Sequence, residues 1–173
     1  MFLSTLVVVL IITVMAGALG LRINSSDSVP LGLWREEPVV SGALTRGTVV
    51  AVCPPAAPIF AMAHDRHYLS KGWCPSGLEV MFKPIAAAAG DVVVVDSQGV
   101  SVNGGLLLRS APLKADAAGR ALPAWPAGTY RVPSGYVWTV SSYSPRSFDS
   151  RYFGPLPVSQ VRGVVQPLWL WHP

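Results

Sequence analysis

The 173-residue chain is short of charge: Asp, Glu, Lys and Arg together make up 13% of it, about half the roughly 25% usual for a soluble domain. That scarcity excludes a disordered acidic tail and a highly charged nucleic-acid-binding arm. The 13 basic residues outnumber the 9 acids, for a net charge of +4, but they are scattered, so no nucleic-acid partner is expected. Cysteine is scarce too. Only Cys53 and Cys74 are present, no CxxC pair exists, and His64, His67 and His172 complete no ligand set, so no metal is expected. A Gly-x-Ser-x-Gly elbow, a Walker A loop, a Rossmann glycine pattern, internal repeats and heptads are all missing, which removes the commonest nucleotide and cofactor chemistries. The expectation is no cofactor.

What the chain has in excess is apolar surface, 51% of its residues. The excess is concentrated at the start, where residues 2–21 (FLSTLVVVLIITVMAGALGL) carry no charge. Twenty residues of helix span about 30 Å, the thickness of a bilayer core. Two readings stand: a retained transmembrane anchor, or a signal peptide cut at Ala16-Gly17-Ala18, whose small-x-small form export peptidases accept. The length of the run and the lack of a preceding Lys or Arg favour the anchor. Arg22 and Arg35 follow it, which by the positive-inside rule keeps the rest cytoplasmic, although that rule weakens for long translocated domains. The cysteines bear on the side. Twenty residues separate them, and a disulfide formed in an oxidising compartment is the simplest reading, the alternative being two buried thiols.

Beyond Arg22, 16 prolines and 14 glycines punctuate short segments, which breaks long helices and favours strands joined by turns. Strands are expected over 48–53, 78–85, 91–96, 99–103 (leading into a hairpin turn at Gly104-Gly105), 136–141 and 161–171. A short helix is expected within 60–70, and a long loop over 110–128. The fold expected is mostly β: one domain over 22–173 with short helices, preceded by one transmembrane helix within 1–21.

Three stretches hold candidate chemistry. In Asn24-Ser25-Ser26-Asp27-Ser28-Val29-Pro30-Leu31-Gly32, Pro30 and Gly32 bend the chain after Ser28 and can aim one hydroxyl; a plain turn is the bland alternative. Lys83 is one of three lysines. On a strand it shares a face with Met81 and Ile85 and has Val80 and Phe82 on the other. Desolvation there lowers an amine's pKa toward that of a competent base, unless the side chain snorkels to water. In Ser147-Phe148-Asp149-Ser150-Arg151-Tyr152-Phe153-Gly154, Asp149 and Arg151 point the same way on an extended segment and can pair.

These stretches occur in one order: apolar segment, Ser-Val-Pro-Leu-Gly at 28–32, Lys83 in Phe-Lys-Pro-Ile-Ala-Ala-Ala-Ala-Gly-Asp, and Asp149-Ser150-Arg151-Tyr152-Phe153-Gly154. The pattern resembles the type I signal peptidase superfamily of Ser-Lys dyad serine peptidases. Within it, the Asn-Ser-Ser-x-Ser-Val-Pro-Leu-Gly-Leu-Trp run and the Cys53-Pro54-Pro55 and Cys74-Pro75 pair are similar to the TraF-type conjugative-transfer peptidases. The chain departs from housekeeping signal peptidases in the early Pro30, in Pro84 after the lysine, and in a 110–128 loop without a motif.

The resemblance implies Ser28 as nucleophile, Lys83 as general base, Ser26 and the Ser28 N–H as oxyanion hole, Ser147 orienting the lysine, and Asp149 with Arg151 as a supporting pair. It implies a membrane-bound pilin or preprotein substrate with small residues at −1 and −3, lipid as a neighbour, and hydrolysis or pilin cyclisation as the outcome. The place implied is the bacterial inner membrane with the domain facing the periplasm, or the periplasm itself if the apolar segment is removed. Two other functions stay open: a general signal peptidase for exported proteins, and a non-catalytic membrane-anchored β domain of a secretion channel.

Overall fold

A computed structural model describes residues 2–40 and 42–171; His172, one of the three histidines weighed above, lies outside the described residues. The apolar segment forms helix α1, Phe2–Ala18. It is shorter than the sequence suggested. Its 17 residues cover about 26 Å at 1.5 Å each, and among the described residues no helix is long and apolar enough to cross a membrane. The cause is local. Gly20 takes φ +73°, where a Cβ would meet the Glu36 carbonyl oxygen at 2.3 Å, and the chain turns there into strand β1, Leu21–Asn24.

Two antiparallel sheets follow. The larger contains β1, β2 (Gly32–Glu37), β3 (Val49–Val52), β4 (Met81–Ala87), β9 (Tyr136–Thr139), β10 (Leu156–Pro157) and β11 (Val161–Leu170), in the order β1-β2-β11-β3-β4-β9-β10. The smaller contains β5 (Val92–Val95), β6 (Val100–Val102), β7 (Gly105–Leu106) and β8 (Gly128–Arg131), ordered β7-β6-β5-β8. The β6–β7 turn is built on Asn103 and Gly104, with φ of 50° and 84°, one residue earlier than read from sequence. Both residues have the positive φ of a two-residue hairpin turn. Short β1, β2, β7, β8 and β10 carry too little apolar alternation to be read in advance. Helix α2, Pro58–Asp65, answers the expected short helix, and the expected loop over 110–128 holds no helix and only an isolated bridge, Ala115 to Ala121, before β8 starts at Gly128.

Strand β4 positions the site. Val50 and Val52 of β3, Met81 and Ile85 of β4, and Phe60, Phe148 and Phe153 form one apolar cluster. On the other face of the sheet Ala51 and Phe82 pack with Trp34, Val29 and Val165. Lys83 pairs with Val50 and by alternation projects with Met81 and Ile85, as the sequence implied. Pro84 sits in this central strand without breaking it. The Ile85 N–H bonds Thr48 across the β3 edge, so the missing Pro84 donor lies on the opposite edge, where β9 pairs with β4 only from Ile85 onward.

Cys53 and Cys74 form a disulfide across a sequence separation of 21. It ties the end of β3 to the segment leading into β4. Closing a loop of that length contributes roughly 3 kcal/mol in the chain-entropy model. Replacing both cysteines by serine should lower unfolding stability by about that amount, measured by chemical denaturation. Equal stability of the two proteins would show that the bridge constrains nothing.

Candidate active site

Ser28 lies in the turn between β1 and β2 and is buried. Asn24 shapes that turn: its Nδ2 donates to the carbonyls of Ser26 (2.9 Å), Val29 (3.0 Å) and Pro30 (3.0 Å). Three carbonyls gathered on one buried amide curl the chain around Asn24, and Ser28 is carried back toward β4. There the Lys83 Nζ donates to Ser28 Oγ at 2.5 Å and to Ser147 Oγ at 3.2 Å. The Ser147 hydroxyl donates to Ser28 Oγ at 3.1 Å. Three side chains more than fifty residues apart in sequence thus close one triangle.

Burial pushes the Lys83 amine down from 10.5 to about 8; the Asp149 carboxylate opposes this by favouring the charged form, and the Arg151 guanidinium adds to the lowering. An amine with that pKa is partly neutral near pH 7–8, and its lone pair then faces the Ser28 proton at hydrogen-bond distance. The arrangement can therefore activate a hydroxyl for acyl transfer.

Asp149 and Arg151 are both fully buried and paired at 2.8 Å. The sequence placed them on an extended segment; they belong instead to the start of helix α3, Ser150–Phe153, which Asp149 caps by accepting the Arg151 N–H. The pairing is twofold, because Arg151 Nε reaches Asp149 Oδ1 while Nη2 reaches Oδ2. The remaining guanidinium donors reach the carbonyls of Arg109, Ser144, Pro145 and Ser147. One buried cation thereby organises the loop that carries Ser147.

Ser26 is exposed, and its Oγ donates to Asn24 Oδ1 at 3.0 Å. It lines, with Ser28, Lys83, Met81 and Phe82, a cleft of about 800 Å³. To donate to an oxyanion its hydroxyl must turn away from Asn24. Sequence reasoning missed three features here. Asn24 was visible only as a turn former, and Ser141 only as the end of a strand. The wall of the cleft made by Leu113, Asp116 and Arg120 of the 110–128 segment had no signal at all. That wall is fastened by Asp116, which accepts from Tyr68 and from Arg120 and is held well below the usual carboxylate range, first by the Tyr68 bond. His64 Nδ1 contacts the Leu69 carbonyl, and His67 follows α2 in a turn with φ 61°, so the two do not share a helix face. Among the described residues no group of three His, Cys, Asp or Glu is arranged to hold a metal ion.

The profile described as "Signal peptidase, peptidase S26" matches residues 1–171. The chain is 41% identical over 154 residues to "Plasmid transfer protein TraF" of Escherichia coli, covering 89% of this chain and 85% of that one. It is 37% identical over 165 residues to "Conjugal transfer protein TraF" of Agrobacterium fabrum, covering 93% and 89%. A solved signal peptidase I from Enterococcus faecalis aligns with 69% of this chain and 94% of its own, at 19% identity and a TM-score of 0.38.

The Lys83 pKa has a consequence for stability. Between about 8 in the folded state and 10.5 unfolded, the unfolded chain holds a proton that the folded chain has lost, so stability rises with pH across that window and the full cost of burial is present below it. Lys83→Met should therefore be more stable than the parent at pH 7 by about 3 kcal/mol, with the difference shrinking toward pH 10.5. Denaturant unfolding at the two pH values measures it; a difference independent of pH would contradict the buried amine.

Proposed function

The chain belongs to the signal peptidase family, peptidase S26, and from that premise we propose that it is a membrane-associated serine endopeptidase that processes a pilin precursor for conjugative transfer. The single observation that carries the chemistry is the 2.5 Å contact between Lys83 Nζ and Ser28 Oγ in a buried setting. The conjugative role rests on the TraF proteins, 41% and 37% identical; both are named for plasmid or conjugal transfer, which favours this role over general removal of signal peptides.

In this reading neutral Lys83 takes the Ser28 proton as Oγ attacks the carbonyl after a small residue. Ser147, bonded to both, holds the amine in line. The Ser28 N–H and a turned Ser26 hydroxyl stabilise the oxyanion, each such donor being worth roughly 3 kcal/mol. The ammonium of Lys83 then returns its proton to the departing amine. Water attacking the acyl-enzyme completes hydrolysis; the amine terminus of the same pilin would instead close a ring. Small residues at −1 and −3 of the substrate are part of the same proposal.

Membrane association is part of the proposal. Leu6, Val7, Leu10, Ile11, Val14 and Met15 of α1 are exposed, an apolar surface suited to lipid. Ile23 of β1 and Trp169 of β11 are each 69% exposed and align across the sheet through Leu33. Lipid at this edge puts the cleft close to a substrate that is itself membrane-bound. The disulfide fits a domain facing the periplasm.

Incubating the purified protein with the pilin precursor of its own transfer system and weighing the products tests the proposal. Ser28→Ala and Lys83→Ala should each lower the rate by at least about a thousand-fold while leaving the domain folded. A product lighter than the linear one by one water identifies ring closure. Processing that survives either substitution overturns the Ser-Lys reading.

A further inference from the structure

We propose that Ser141 is a positioning residue for Ser28, holding the backbone of the nucleophile while Ser147 holds its side chain. The inference rests on the Ser-Lys reading above and deepens it. Ser141 is fully buried, two residues beyond the end of β9. Its hydroxyl donates to the main-chain carbonyl of Ser28 at 2.6 Å, across 113 residues of sequence.

The direction of that bond is fixed by what else the oxygen does. A serine hydroxyl has one proton and two lone pairs. Ser141 Oγ accepts the N–H groups of Tyr143 at 3.1 Å and Ser144 at 3.4 Å, which occupies both lone pairs and leaves its proton for the Ser28 carbonyl. The Ser141 N–H in turn donates to Asp149 Oδ2 at 3.0 Å, the oxygen that also accepts from Arg151 Nη2. Residue 141 is thus locked at its main chain by the buried ion pair and at its side chain by its own loop.

The two ends of that loop therefore grip Ser28 at two points. Ser147 contacts Oγ, and Ser141 fixes the peptide plane that follows the Ser28 Cα. With that plane fixed, Oγ is left to settle between Lys83 Nζ and Ser147 Oγ. Without it, the turn is free to pivot about Asn24, and a displacement of about 1 Å at a reacting atom lowers rate by about a hundred-fold. Ser141 keeps its proton throughout and makes no contact with substrate in this scheme.

The test compares Ser141→Ala and the near-isosteric Ser141→Cys with the parent, using an internally quenched peptide with alanine at −1 and −3 and mass detection of acyl-Ser28. Ser141→Ala should lose about 30- to 100-fold, in kcat rather than KM, with the pH midpoint of activity still near 8. Ser141→Cys, a weaker donor in the same place, should fall between and decides the matter if the alanine variant does not fold. Parental kcat in either folded variant, or a loss confined to KM, overturns the inference. A parent that never acylates Ser28 would instead overturn the Ser-Lys reading on which it rests.

Discussion

Everything at this site depends on keeping one amine out of water. Lys83 pairs with Val50 of β3 and has Met81 and Ile85 on its own face, and its hydrogen bonds go to the hydroxyls of Ser28 and Ser147. Desolvation therefore prevails over the more distant Asp149, and the amine moves to about 8. A direct carboxylate partner would have kept it charged and useless as a base. The apolar residues of β3 and β4 supply this setting.

The second constraint is the buried pair of Asp149 and Arg151. Breaking such a pair leaves an unpaired charge inside the protein, at a typical cost of about 3–5 kcal/mol. Its use here is geometric. Arg151 fastens the carbonyls of residues 144, 145 and 147, and Asp149 fastens the Ser141 N–H. A loop held this tightly can present two hydroxyls to Ser28 at fixed positions. The charges lie in the same burial that lowers the Lys83 pKa, with Asp149 and Arg151 acting on it in opposite senses.

Much of this was legible in the sequence because it is written in local patterns. The valine-rich strands β3, β5 and β11 stand out by composition, Lys83 by its apolar neighbours on both faces, and the serine, lysine and aspartate-arginine stretches by their order along the chain. Features that arise from distant contacts were not legible. Ser141 looked like the polar end of a strand, because its partner is 113 residues away. Asp149 and Arg151 looked extended, because the short helix α3 exists only by virtue of the Asp149 cap and the packing of Tyr152 and Phe153. The length of α1 was overread, because Gly20 turns the chain only once Glu36 of β2 is beside it.

The most direct measurement is the titration of the Lys83 amine itself, followed by NMR of selectively labelled lysine in the intact folded protein, with Lys83→Met identifying the signal. A buried base beside Ser28 titrates near pH 8. A midpoint near 10.5 would mean that Lys83 stays charged at working pH, and a charged amine cannot take the Ser28 proton.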